Sequence, residues 1–179
     1  MFESLKRRLS DVRTLTRLCT VAEEIAHQHG QSKPGSEHFI LAALALPDQT
    51  AAQAFAHLGI SAQRFQEALA AQRSDALASV GIVAETGGVT QLPSFPPPAS
   101  VLYETEPSGQ ALVKHLADTR KARAGRLLLG ADVLLAAALE RYTPSGRAFQ
   151  KLGVSTVQLT EAAEKSIRRA GGSMPVRVQ

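Results

Sequence analysis

The sequence has little of what disulfide-rich, aromatic-rich or membrane-spanning proteins need. Its 179 residues include one cysteine, Cys19, no tryptophan and only 4% aromatic residues. A single cysteine excludes an internal disulfide, so a reducing compartment is expected. No apolar run reaches the roughly 18–20 residues of a transmembrane helix, and the charged opening Met1 to Arg8 has no apolar core of a signal peptide. These absences predict a soluble, cytoplasmic protein.

The residues that are present favour helices. Hydrophobic residues make up 44% of the chain, and many of them are alanine and leucine. Alanine and leucine favour packed helices over a β-sandwich, which needs more β-branched and aromatic residues. The length suits one compact domain or two tightly packed halves.

The net charge of +4 and the isoelectric point of about 9.6 raise the question of nucleic acid. The basic residues concentrate at three places, namely Lys6-Arg7-Arg8, Arg120 to Arg126, and Arg168-Arg169. No aromatic residues interleave with them to stack on bases, which disfavours a nucleic-acid groove. A basic DNA-binding protein, with residues 61–70 or 155–170 as its recognition helix, is kept as an alternative.

Apolar periodicity predicts helices from the start of the chain. One buried face of a first helix is formed by Leu15, Leu18, Cys19, Ala22, Ile25 and Ala26. We expect this helix to stop near Gly30, and we expect Ser36 to cap a second helix. The almost unbroken apolar run from Phe39 to Leu46 makes that second helix central and buried.

Two further helices follow. Asp48 or Thr50 is the expected cap of a short third helix over residues 51–58, which ends at Gly59. Ser61 is the expected cap of a fourth helix, whose Phe65 and Leu69 face the core.

The chain repeats itself. Residues 54–61 match residues 148–155 at an offset of 94, with identical Ala, Phe, Leu, Gly and Ser. Upstream, Gly35 aligns with Gly130 and Glu37 with Asp132 at an offset of 95, and one residue of slippage in a loop would reconcile the two offsets. Repeated helix stops at this period predict two similar helical bundles, with Phe55 and Phe149 in equivalent buried sites.

A stretch rich in proline and glycine separates the two copies. It predicts a first repeat at residues 10–70, a linker at 71–104, a second repeat at 105–168 and a fraying tail at 169–179. Val80, Ile82, Val83 and Val89 are β-prone and would suit a small hairpin, whereas the prolines that follow deny a regular element.

The two copies together resemble the N-terminal (R) domain of Clp unfoldases, which is a pseudo-twofold pair of four-helix repeats. The family pattern of Gly-Thr-Glu-His before a leucine-rich helix corresponds to Gly35-Ser36-Glu37-His38, and its later leucine-glycine turn to Leu58-Gly59-Ile60-Ser61. In the second copy Ala131-Asp132-Val133 stands where the family has Thr-Glu-His. The likeness covers most of residues 10–70 and 105–168, without the ATPase module that follows this domain in the unfoldases.

The resemblance implies an all-α, non-catalytic protein-binding module of Clp-based protein quality control. It would act as an adaptor or substrate receptor, with a Clp unfoldase, an adaptor or client segments as partners. In relatives that recognise phosphoarginine, the Glu of this turn holds the guanidinium. By position, the resemblance therefore implies a site at Ser36, Glu37 and Asp132, with arginine-phosphorylated segments among the ligands. The N-terminal substrate-binding domain of a longer unfoldase is the second alternative.

No cofactor, metal or catalytic group is expected. Residues 125–132 have the glycine spacing of a phosphate loop, but Ala131-Asp132 stands where the required Lys and Ser or Thr belong. The spacings of Cys19, His27, His29 and His38 fit no zinc signature, and we expect His38 to hydrogen-bond locally. A hydrolase, the third functional class, has no acid–base or nucleophile pair to support it.

Overall fold

A computed structural model describes residues 2–79, 104–122 and 126–172 of the chain. The described residues form eight α-helices and no strand. These are α1 (Phe2–Gln28), α2 (Ser36–Leu44), α3 (Thr50–His57), α4 (Ala62–Ser79), α5 (Pro107–Ala122), α6 (Gly130–Ala138), α7 (Pro144–Lys151) and α8 (Thr156–Gly172). The predicted all-α class is confirmed. Among the described residues, no helix combines the length and apolarity that crossing a bilayer requires.

The helices form two sets of four, and we call α1–α4 the first repeat and α5–α8 the second. Helices α2, α3 and α4 begin at residues 36, 50 and 62, and α6, α7 and α8 begin at 130, 144 and 156. Each pair is therefore displaced by the same 94 residues. The predicted slippage to an offset of 95 is wrong, and Gly35 corresponds to Leu129 rather than to Gly130.

The two repeats interlock. Helix α3 packs on α8, and α4 packs on α7, so each repeat closes the bundle of the other. Because α3 corresponds to α7 and α8 corresponds to α4, exchanging the two repeats converts the α3–α8 contact into the α7–α4 contact. A twofold relation between the repeats requires this. One core results, in which Phe55, Phe65 and Phe149 lie within 4.9–6.0 Å of one another, centre to centre. The expected equivalence of Phe55 and Phe149 as buried plugs is confirmed.

Most of the predicted helix ends are confirmed. Gly30, Gly59 and Gly153 have φ values of 71°, 67° and 73°, the left-handed region in which glycine ends a helix at no steric cost. Ser61 Oγ accepts the Arg64 N–H at 3.2 Å and so caps α4. In α8, Ser155 does the same for the N–H of Gln158 at 3.2 Å.

Two predicted caps need correction. Gly35, not Ser36, is the N-cap of α2, because the helix already includes Ser36 as its first residue. Gln49 is the N-cap residue of α3, while Asp48 Oδ1 accepts the Thr50 N–H at 2.9 Å. Asp48 thus accepts a helix N–H as predicted, although it precedes the N-cap residue Gln49 by one position.

The predicted boundaries differ in part from the helix bounds. Helix α1 begins at Phe2, α4 continues to Ser79 into the stretch assigned to the linker, and α8 continues to Gly172 into the expected tail. The suggested hairpin at Val80 to Val89 lies outside the described residues. The division into domains at residues 70 and 105 stays a prediction.

Candidate functional site

The first turn of α2 is held by groups from both repeats. The backbone N–H of Gly35 donates to His38 Nδ1 at 2.9 Å, and the N–H of Ser36 donates to Ser108 Oγ, on α5, at 3.2 Å. The expected local hydrogen bond of His38 is confirmed. Two of the amides that a helix start leaves open are therefore satisfied within the chain.

The hydroxyl of Ser36 is buried and belongs to a relay of hydroxyl groups. Thr143 Oγ1 donates to the Glu140 carbonyl at 2.8 Å, so the Ser145 hydroxyl donates to Thr143 Oγ1 at 3.0 Å. Ser36 Oγ in turn donates to Ser145 Oγ at 2.8 Å. Since its proton is used inside the fold, Ser36 fixes the start of α2 against the first turn of α7.

Glu37 has a carboxylate that the chain does not satisfy. Its residue is 4% exposed, its Oε1 lies 3.7 Å from Arg73 Nη2, and its Oε2 has no hydrogen-bond partner among the described residues. The carboxylate folds back over Gly35, where a Cβ would stand 2.6 Å from Oε2. A side chain at position 35 would therefore displace this carboxylate.

The electrostatics of Glu37 follow from that geometry. Burial raises the pKa of the Glu37 carboxyl above its ordinary value, and the nearby Glu106 acts in the same direction. The backbone N–H of Glu37 itself and the Arg73 guanidinium act against this rise in pKa without overcoming it. A buried, incompletely paired carboxylate of this kind is stabilised when a cation arrives.

Glu37 lines a cleft of about 780 Å³ that runs between the two repeats. We call it the acidic cleft; its wall includes Glu37, Glu106, Ser108, Glu140, Tyr142 and Thr143. None of the described residues that line it is basic. Its volume is in the range of ordinary ligand sites, and its three carboxylates suit a cationic group.

The equivalent helix start in the second repeat is closed by the chain. The N–H of Gly130 faces both carboxylate oxygens of Asp48 at 3.2 Å, and the N–H of Ala131 donates to Thr50 Oγ1 at 2.9 Å. Asp48 and Thr50 belong to the first repeat, which thereby supplies the anion that a helix N-terminus favours. Gly130 cannot serve a phosphate loop while Asp48 holds this position, and Gly125 lies outside the described residues.

Both carboxylate oxygens of Asp132 have partners within the chain. Its Oδ2 accepts the Leu129 N–H at 2.9 Å and its Oδ1 pairs with the guanidinium of Arg126. Asp132 is the third helical residue of α6, so its structural counterpart is His38, and the counterpart of Glu37 is Ala131. The structure therefore places the three predicted site residues in different roles, and of these three only Glu37 lines the acidic cleft.

The histidines that sequence inspection considered for a metal form a ring contact instead. The His29 and His38 ring centroids are 5.4 Å apart. Burial, with contributions from His29 and Arg73, lowers the pKa of His38 from 6.5 to about 4, so this ring is neutral near pH 7. Across the described ranges, no group of three or more His, Cys, Asp or Glu side chains is arranged to hold a metal ion.

The basic cluster from Arg120 to Arg126 is largely engaged with acids. Arg120 Nη2 lies 3.0 Å from Asp11 Oδ2, and Arg126 is held by Asp132. Lys121 lies 3.8 Å from Asp118, and Arg123 is outside the described residues. These pairings reduce the positive potential that a DNA-binding surface needs.

Sequence reasoning missed Glu106 and Glu140, which complete the acidic cleft. Glu106 precedes the first residue of α5, and Glu140 follows α6. A signal for Glu140 exists in the repeat, because at an offset of 94 its counterpart is Leu46, a buried core residue. A charged residue at a position that is core in the other repeat marks a place where the two bundles differ.

No family model and no curated protein sequence matches the chain. Among solved structures, it is similar to the N-terminal domain of the caseinolytic protease associated chaperone ClpD from Arabidopsis thaliana. The two share 12% sequence identity at a TM-score of 0.51, over 89% of this chain and 92% of that one. At this identity the similarity shows the fold alone: the chain has the helical fold of a Clp N-terminal domain.

Proposed function

We propose that the chain is a non-catalytic protein-binding module that serves a Clp unfoldase or protease system as an adaptor or substrate receptor. In this proposal the acidic cleft receives a basic side chain from a client or partner protein. The observation that carries the proposal is the buried Glu37 carboxylate, whose Oε2 lies at the cleft without a hydrogen-bond partner among the described residues. The same role would serve whether the chain acts alone or within a longer unfoldase.

The chemistry favours arginine as the incoming residue. A guanidinium offers several N–H donors in a planar fork that fits a carboxylate, and it loses less hydration free energy on burial than an ammonium group. Glu37 supplies the buried acceptor, while Glu106 and Glu140 supply further negative charge on the same cleft. The positive ligand would also relieve the unfavourable burial of the Glu37 carboxylate.

An unmodified arginine fits this cleft better than a phosphorylated one. A phosphate group needs open helix amides or cations, yet the N–H of Ser36 is bound to Ser108 and the N–H of Glu37 faces its own carboxylate. The lining supplies three carboxylates, which would repel a phosphate. Arginine-phosphorylated segments are therefore the second form of ligand in our proposal, bound more weakly than unmodified ones.

Calorimetry with a short arginine-containing peptide, in unmodified and arginine-phosphorylated forms, tests the site. Glu37→Gln should weaken binding of the unmodified peptide about ten- to a hundredfold, the usual loss of a charge-assisted hydrogen bond. Glu161→Gln, on the exposed face of α8, is the matched control and should leave affinity unchanged. Equal affinity of wild type and Glu37→Gln would contradict the proposed site.

The Clp assignment needs a separate test. We expect the wild-type chain, used as bait in cytoplasm from its own source, to enrich Clp subunits over a bait-free control, and Glu161→Gln bait should enrich them equally. If client segments bridge the chain to the unfoldase, Glu37→Gln bait should lose that enrichment. Recovery of no Clp subunit by either bait would contradict the assignment to a Clp system while leaving the binding site open to other partners.

A further inference from the structure

The second repeat contains an apolar pocket that the proposed arginine site does not use. It has a volume of about 370 Å³ and lies among α6, α7 and α8. We call it the apolar pocket after its buried apolar members, Ala137, Phe149, Val154 and Leu159. The rest of its lining is Gly146 and the polar or charged residues Glu140, Arg141, Gln150, Ser155 and Thr156. Its size falls within the range of small-ligand sites.

The pocket exists because core volume present in the first repeat is absent here. At the offset of 94, Leu159 stands where the first repeat has Phe65, and Val154 stands where it has Ile60. Phe65 is completely buried and Ile60 is buried as well. The smaller side chains leave space next to Phe149 that close packing would otherwise fill.

The third difference opens the pocket to the outside. Leu46, 3% exposed in the first repeat, is replaced by Glu140, whose side chain is 30% exposed and bonded to His115 Nε2 at 2.9 Å. Glu140 lines both the apolar pocket and the acidic cleft. The two cavities are therefore neighbours that share one wall.

Exposed apolar residues are the sequence neighbours of residues that line this pocket. Leu139, Tyr142 and Val157 are 62%, 89% and 63% exposed, and each is adjacent in sequence to a residue that lines the apolar pocket. Their counterparts in the first repeat are Ala45, Asp48 and Gln63, none of which is a large apolar residue. Concentration of exposed apolar area beside a cavity is a feature of binding surfaces.

We infer that the apolar pocket takes a large apolar side chain, leucine or phenylalanine, from the same partner segment whose basic residue enters the acidic cleft. This inference rests on the proposed function, because the acidic cleft selects the segment by charge and the shared Glu140 wall places the pocket beside it. The preferred ligand is thus a segment with a basic residue and a large apolar residue a few positions apart. The pocket adds affinity that a basic residue alone does not provide.

Matched peptides on the intact chain test the inference. Each peptide of one series carries one arginine and one phenylalanine separated by zero to four residues, and each peptide of the second series has alanine in place of that phenylalanine. For wild type, at least one spacing should show a ten- to hundredfold loss of affinity on the change to alanine, as expected for losing a buried phenylalanine contact. Equal affinities at every spacing would overturn the inference.

Variants then locate the effect. Leu159→Phe restores the first-repeat residue and fills the pocket, so it should abolish the difference between the two series. Thr156→Trp, at a partly buried lining position, should do the same without changing the core, and it protects the test if Leu159→Phe folds poorly. Val12→Ala, at an exposed position on α1, is the control and should preserve the difference. A phenylalanine effect that survives both Leu159→Phe and Thr156→Trp would overturn the inference.

The outcomes separate this inference from the proposed function. Alanine-series peptides that bind wild type in a Glu37-dependent way, with no phenylalanine advantage, would overturn the inference alone. Absence of Glu37-dependent binding in both series would overturn the proposed function. A concentration-dependent dimer in sedimentation that Leu159→Phe dissociates would assign the pocket to a second copy of the chain and overturn the inference.

Discussion

Helices α2 and α6 begin at equivalent positions, and each carries an acidic residue in its first turn. In α6, Asp132 is paired with Arg126, and the helix amides are bound by Asp48 and Thr50. In α2, the Glu37 carboxylate keeps one oxygen without a hydrogen-bond partner among the described residues, beside the acidic cleft. The same local fold therefore produces one helix start completed by the chain and one whose free carboxylate oxygen our proposal assigns to a ligand.

In our proposal the second helix start supports the fold, whereas the first provides the binding site. A buried carboxylate without a full set of partners costs stability, and natural proteins keep such groups mainly where function requires them. A buried carboxylate with a guanidinium partner and a backbone donor supports the fold. Substitutions at the start of α6 should therefore mainly lower stability. Substitutions at the start of α2 should mainly lower the affinity for the ligand.

The largest expected effect concerns the closed helix start. Asp132→Ala leaves the Arg126 guanidinium without its partner and the Leu129 N–H without its acceptor. Breaking a buried pair costs about 3–5 kcal/mol, and we expect about 3 kcal/mol because the Arg126 side chain retains 29% exposure. Urea unfolding followed by circular dichroism measures this change, with peptide affinity unaltered in the folded variant.

Asp118→Ala is the control for that experiment. The Asp118 carboxylate is exposed and lies 3.8 Å from the exposed Lys121, so its removal should cost less than about 1 kcal/mol. Equal unfolding free energies for wild type and Asp132→Ala would show that the second helix start is not closed in the way described.

The next prediction concerns the stability of the fold in acid. His38 occupies in α2 the position that Asp132 has in α6, so only the first helix start has a histidine there. Its pKa is 6.5 in the unfolded chain and about 4 in the fold. Between these values only the unfolded chain takes up the proton, so the unfolding free energy is complete above pH 6.5 and decreases as the pH falls toward 4. The loss reaches up to about 3 kcal/mol.

His38→Asn should flatten this dependence, because an asparagine oxygen can still accept the Gly35 N–H but cannot titrate. The raised pKa of Glu37 acts in the opposite direction, since the folded state holds that proton more tightly. Denaturant unfolding at several pH values between 4 and 7 should therefore be compared between wild type and variant. Parallel curves would show that His38 does not carry the acid sensitivity.

A smaller effect tests the close approach at Gly35. A Cβ there would stand 2.6 Å from Glu37 Oε2, so Gly35→Ala should displace the carboxylate and lower peptide affinity by about tenfold, or 1.4 kcal/mol. Gly171→Ala in α8 is the matched control, because a Cβ at Gly171 would meet nothing within 4 Å. Titration calorimetry on both variants measures the difference in affinity. A peptide affinity that Gly35→Ala leaves unchanged would contradict the described placement of Glu37.

The parts of the fold that were predictable from sequence are those that depend on local chemistry. The stops at Gly59 and Gly153 and the caps at Ser61 and Ser155 could be identified because each residue type acts within its own turn. The apolar run of α2 likewise predicted a buried central helix, and its residues are buried. These features need no knowledge of what packs against them.

The register of the two helix starts was not predictable in this way. Gly35 and Gly130 were aligned as equivalent, but they are small for different reasons. A Cβ at Gly35 would meet the Glu37 carboxylate, whereas a Cβ at Gly130 would stand 2.9 Å from the Ala43 carbonyl of the other repeat. The contact at Gly35 is local and the contact at Gly130 is with the other repeat, so the two glycines do not belong to one shared motif. Aligning them therefore shifted the alignment by one residue.

The acidic cleft lay beyond sequence reasoning for the same reason. Glu37, Glu106 and Glu140 come from three separated segments that meet only because the repeats interlock. The pairing of Asp132 with Arg126 also depends on the path of the segment before α6. A charge pattern can suggest each acid separately, but the packing decides which acids share a cavity.

The titration of Glu37 with and without ligand tests the central claim most directly. In carboxyl-detected nuclear magnetic resonance of the wild-type chain, the pKa of Glu37 should lie above its ordinary 4.5. Saturation with an unmodified arginine-containing peptide should lower this pKa, because a cation at the carboxylate favours its charged form. A Glu37 pKa that is the same in the free and peptide-saturated chain, with the peptide shown to be bound, would contradict the account.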